Sequence, residues 1–96
     1  MSVTEPRTIT FAIWGPIRRE DLPGLCDRVC ALLDRSAAQR ALCDVRGIDP
    51  DAVTVDALAR LQLGAKRRGC TVRLRNASDD LRGLVVFMGL TAVLSE

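Results

Sequence analysis

Three short runs of strand character, each followed by a stretch of helical periodicity, constrain this chain more than any other feature. From Arg7 to Trp14, Ile9, Phe11 and Ile13 alternate with Thr8, Thr10 and Ala12, the period of two expected of a strand buried on one face. Gly15 and Pro16 end it. Between Arg19 and Arg35, Leu22, Leu25, Cys26, Val29, Cys30, Leu32 and Leu33 recur at helical spacing and make one apolar stripe. Pro23 falls in the first turn, where backbone N–H groups have no partner within the helix. Ala41 to Val45 reads as a central strand covered on both faces. A turn from Arg46 to Asp51 leads into a second helix that runs to Arg68 and stops at Gly69. Its cap could be Asp49 followed by Pro50, or Asp51, or Thr54. Cys70 to Arg75 is a third strand. Ser78 then caps a third helix with Leu81, Leu84, Val85 and Met88 on its buried side. Gly89 and Leu90 resemble a helix stop, and Thr91 to Leu94 could add a last short strand. Consecutive strand–helix–strand steps close by right-handed crossovers, so the order predicts an α/β fold with a mainly parallel sheet.

The chain has 96 residues, room for one domain over residues 7–96 after a flexible N-terminus at 1–6. No apolar run reaches the roughly 18 residues of a membrane span, and Met1 to Arg7 is polar, so the expected location is cytoplasmic, without membrane insertion. A net charge of +2 argues against a dedicated nucleic-acid binder. Histidine is absent, which removes the Ser-His-Asp and Cys-His nucleophile arrangements and the commonest metal ligand. Of the four cysteines, Cys26 and Cys30 fall in the helical stripe, Cys43 in the central strand, and Cys70 on an inward parity with Val72 and Leu74. All four read as core packing. With no paired Cys-x-x-Cys spacing, neither a metal nor a cofactor is expected, and the chain reads as a non-enzyme.

The order of elements resembles the STAS family, the sulfate transporter and anti-sigma factor antagonist domains. Leu42-Cys43-Asp44-Val45, the turn after it, the helix ending at Gly69 and Val72-Arg73-Leu74 carry the likeness. So does the tail from Gly69 through Ser78 to Leu81 and Gly89-Leu90. The resemblance spans about Thr8 to Leu94 and implies a mostly parallel sheet of four to five strands with alternating helices. It also implies a signalling function in transcription regulation, with a partner that is both serine kinase and anti-sigma factor, or a related STAS protein. The arginine-rich composition, with Lys66 the lone lysine, fits a GC-rich bacterial origin.

The family motif before the second helix is Asp-Ser-Ser-Gly followed by Leu or Ile, and its second serine is the phosphoacceptor in signalling members. Counted back from Gly69, it falls on Asp51-Ala52-Val53-Thr54-Val55. Aspartate and the closing apolar residue match, but Ala52 and Val53 replace the serines and Thr54 the glycine. The usual switch is therefore expected to be silent at Val53, since phosphorylation needs a hydroxyl. Thr54 has two readings, a helix-capping hydroxyl or the residue that takes the phosphate instead. The expected partner surface comprises Asp49, Asp51, Ala52, Val53, Thr54 and Val55, with Ala59 and the outward-facing Leu63 on the helix that follows. Such a module is expected to be a monomer or weak homodimer. Two alternatives stand: a STAS accessory subunit of a membrane transporter, and a thiol or redox protein using the cysteines. Arg73 and Arg75 could join Arg67 and Arg68 in an anion-binding strip, or form a solvated strand face and helix end. A nucleotide or lipid headgroup there remains open.

Overall fold

The computed structural model describes residues 7–87 and Gly89. Its elements are β1 (Thr8–Trp14), a 3-10 turn (Arg19–Asp21), α1 (Leu22–Ser36), β2 (Arg40–Gly47), α2 (Ala52–Arg67), β3 (Thr71–Arg75) and α3 (Asp79–Phe87). The strands form one parallel sheet in the order β1-β2-β3, with Ala41 set between Ile9 and Val72 and Cys43 between Phe11 and Leu74. Sequence order equals spatial order, as right-handed crossovers require when every helix returns over the same face. Three strands are present among the described residues, fewer than the four to five expected. The expected strand at Thr91–Leu94 lies outside them, as do residues 1–6, Met88 and Leu90.

Ile13, Ala41, Cys43, Val45, Val72 and Leu74 point from the sheet into the core. There they meet Val29 and Leu33 of α1, Val55, Leu58, Leu61 and Ala65 of α2, and Leu81 and Val85 of α3. Full burial of a leucine such as Leu58, Leu61 or Leu74 contributes about 1.5–3 kcal/mol. β2 departs from the sequence reading: among the described residues it is covered on one face only. Leu42 and Asp44 are half-buried and Arg46 is exposed, so the strand alternates. The aspartate inside the apolar run already marked the open side.

α1 starts at Leu22, later than expected, because Arg19–Asp21 is wound as a tighter 3-10 turn. At its end Ala37 takes the left-handed conformation (φ 52°) and donates its N–H to the Leu33 carbonyl. α2 closes as anticipated: Gly69 has φ +70°, Cys70 N–H reaches the Ala65 carbonyl and Gly69 N–H that of Lys66. These two bonds make a Schellman stop, and glycine suits its left-handed position. Ser78 caps α3 by accepting from Leu81 N–H at 3.1 Å. The cysteines divide: Cys43 and Cys70 are buried, whereas Cys26 and Cys30 are half-buried between α1 and α2. The core reading thus holds for the first two and only partly for the others. Cys30 Sγ lies so near Gly64 that a Cβ there would stand 2.9 Å from it, so the helix contact depends on glycine.

Candidate partner-binding surface

The surface begins where β2 ends. Trp14 lies opposite Gly47 after a break in the β1–β2 register, and its ring occupies the space a Cβ of residue 47 would need. Gly15 N–H donates to the Gly47 carbonyl at 3.0 Å, closing the end of the strand pair. Ile48 turns inward and is buried, while Asp49 and Pro50 remain exposed.

Asp51 decides where α2 starts. Its backbone is extended (φ −127°, ψ 173°), and its Oδ1 accepts from Thr54 N–H at 2.8 Å. Its carbonyl accepts the first intrahelical bond from Val55 N–H at 3.1 Å. Asp51 is therefore the N-cap, and the capping reading of Thr54 is corrected. Thr54 is the third residue of the helix, with no exposed surface, and its Oγ1 lacks a hydrogen-bond partner among the described residues. Replacing Asp51 with Ala removes the cap while leaving the exposed turn otherwise intact. Urea unfolding of Asp51→Ala is expected to give a stability loss of about 1 kcal/mol.

Along α2, Ala52, Asp56, Ala59 and Leu63 follow one another by steps of four, three and four, so they form one outward stripe. It extends about 16 Å from Ala52 to Leu63 at the helical rise per residue. Asp56 accepts from Arg60 Nε and from Arg19 Nη1, each at 3.1 Å, and these guanidinium bonds, that of Arg60 first, hold its carboxyl below the ordinary range. Leu63 is 52% exposed and lines a shallow hollow of about 280 Å³ with Ala59, Gln62 and Lys66. A larger hollow of about 320 Å³ lies elsewhere, between the end of β1 and the start of α1, against Trp14, Ile17 and Leu25.

Of the residues expected at a partner surface, Asp49, Asp51, Ala52 and Leu63 are exposed, and Val53 and Ala59 half-exposed. Thr54 and Val55 are inside. Sequence reasoning missed Trp14, which is 66% exposed beside the turn. Its parity was the available signal: two residues after Ala12, it belongs with the outward Thr8 and Thr10. No three Cys, Asp or Glu side chains converge as a metal site would require among the described residues. Burial pushes the Cys43 thiol up to about 12 and raises those of Cys26 and Cys70. Thiols so shifted are poor nucleophiles at neutral pH.

A small parallel sheet with its helices on one face, and a capped turn leading into α2, is the STAS fold. A sulfate transporter family protein from Wolinella succinogenes shares it with a TM-score of 0.66 and 25% identity, over 98% of this chain and 76% of that one. The anti-sigma factor antagonist SpoIIAA, solved in its unphosphorylated form, gives a TM-score of 0.65 at 16% identity, over 98% of this chain and 83% of its own. The SpoIIAA likeness speaks to the fold alone. No protein-family model and no curated protein matches the sequence.

Proposed function

We propose that this chain is a non-catalytic, cytoplasmic protein-binding module of a bacterial partner-switching system, similar to an anti-sigma factor antagonist. Its contact surface is the Asp49–Val53 turn with the Ala52–Leu63 stripe of α2, and its partner is a serine-kinase-like anti-sigma factor. The observation that carries this reading is Leu63, a large apolar side chain half exposed on the helix that follows the motif turn. Apolar anchors in an otherwise polar rim supply much of the binding energy of protein interfaces. The switch is silent at Val53, which has no hydroxyl, and the adjacent Thr54 hydroxyl is buried.

Affinity capture from the source cell, using wild type and Leu63→Arg as parallel baits, tests this. The wild type is expected to recover a kinase-fold anti-sigma factor and Leu63→Arg to lose it, with the two far-UV circular dichroism spectra alike. Incubation of wild type with that partner and ATP is expected to leave the intact mass unchanged. Equal recovery by both baits would remove the α2 stripe from consideration, and a gain of one phosphate would refute the silent switch.

A second reading, an accessory subunit of a membrane transporter, is favoured by the 25% identity to the sulfate transporter family protein. Recovery of a transporter permease or its ATPase in the same capture would select it.

A further inference from the structure

The face of the sheet away from the helices has no covering element among the described residues. Its side chains follow from the register: Thr8, Arg40 and Thr71 form one row, Thr10, Leu42 and Arg73 the next, and Ala12, Asp44 and Arg75 the third. Arg46 joins them, because its Nε reaches both carboxylate oxygens of Asp44, at 3.2 and 3.3 Å. Among the described residues, four arginines, Arg40, Arg46, Arg73 and Arg75, and one acid, Asp44, share this face, a balance of +3.

The one acid on this face among the described residues is already engaged. Asp44 accepts from Arg46 N–H at 3.0 Å, from the Arg46 guanidinium and from Asn76 Nδ2 at 3.2 Å. These bonds, the backbone one foremost, hold its carboxyl below the ordinary range. Trp14 closes one end of the face, its ring laid over Gly47 and 66% exposed.

We infer that this face docks the protein on an anionic lipid surface. Guanidinium groups pair with phosphate in a bidentate fashion, and a planar array of them matches a planar array of headgroups. An exposed tryptophan at the margin is suited to the headgroup level of a bilayer. The composition is unlike the core of a protein interface, which is depleted of charge and rich in apolar side chains. Among the described residues of this face, only Ala12 and Leu42 are aliphatic. No helix of the described residues is long and apolar enough to cross a membrane, so the association is peripheral and reversible. Docking by the sheet leaves α2 turned outward on the opposite side, and the inference does not depend on the partner assigned to α2.

The test is co-sedimentation of the full chain with vesicles of phosphatidylcholine alone and of phosphatidylcholine containing phosphatidylglycerol. Binding is expected only with the anionic lipid, weakening as salt screens it. Each arginine near an anionic surface strengthens binding about fivefold. Arg40→Gln with Arg75→Gln should therefore weaken it about twenty-five-fold, and Arg40→Glu with Arg75→Glu by more than a hundredfold. The glutamine pair carries the test should the glutamate pair fail to fold. Trp14, the one tryptophan, should shift its emission to the blue on binding. Leu63→Arg should bind vesicles at least as well as wild type, which separates this surface from that on α2. Absence of binding, equal binding to neutral vesicles, or full binding by the glutamine pair would overturn the inference. So would salt-sensitive binding to a DNA duplex without binding to anionic vesicles.

Discussion

Thr54→Asp is expected to abolish cooperative unfolding or lower the thermal midpoint by more than about 15 °C, whereas Thr54→Val is expected to raise it. The opposite signs come from one fact: residue 54 is wholly buried and its hydroxyl is unpartnered among the described residues. A carboxylate there loses its hydration at a cost of several kcal/mol, a large part of the roughly 5–15 kcal/mol that holds a domain together. Its position in the first turn of α2 offers a favourable dipole, but that returns at most about 2 kcal/mol. Asp51, whose Oδ1 already holds Thr54 N–H at 2.8 Å, adds repulsion between like charges. Burial therefore wins. Valine keeps the β-branched shape and deletes an oxygen that costs about 1–3 kcal/mol when it is buried without a partner. For a chain of this size each kcal/mol shifts the midpoint by about 4–8 °C. Differential scanning calorimetry of the two variants checks both signs, and a lower midpoint for Thr54→Val would mean that the hydroxyl has a partner. The same burial bears on the proposed silent switch, since a kinase could reach Thr54 only after the first turn of α2 opened.

The sequence misled at Thr54 because residue type alone does not choose between caps. Asp51 and Thr54 are both good N-caps, and the choice depends on which residue adopts extended dihedrals. Periodicity held the answer: Thr54, Leu58, Leu61 and Ala65 follow by steps of four, three and four, and all four are buried. Thr54 lies on the apolar stripe. β1 and the three helices were legible from their apolar periods, and the stops at Gly69 and the cap at Ser78 from residue types that few other local structures favour. β2 was legible in position but not in exposure, because Ala41 to Val45 reads as a continuous run until Asp44 is given its parity. Trp14 was hidden by the strand-breaking Gly15-Pro16 pair, which drew attention to the end of the strand and away from the ring beside it. The contact across α1 and α2 at Gly64 and Cys30 could not be read at all, since it joins residues 34 apart that only the fold brings together.

Leu61→Ala and Leu63→Ala are expected to separate stability from recognition on a single helix. Leu61 is 1% exposed among Val29, Val72 and the rest of the core, so truncation removes buried methyl groups and leaves a cavity. Such changes cost about 2–5 kcal/mol, which lowers the thermal midpoint by at least about 8 °C here. Leu63, two positions on, faces water over half its surface, and its truncation should cost less than about 0.5 kcal/mol. Alanine favours helix slightly over leucine, so the small loss at residue 63 could even vanish. Chemical unfolding of the two variants under identical conditions decides the first half. A large loss for Leu63→Ala would mean that the leucine packs on the fold and is not held out for a partner. The second half is binding, where the order should reverse. Leu63→Ala should weaken capture of the partner although it barely touches stability. Leu61→Ala should bind normally at temperatures where it remains folded, because its side chain reaches no surface that a partner could touch.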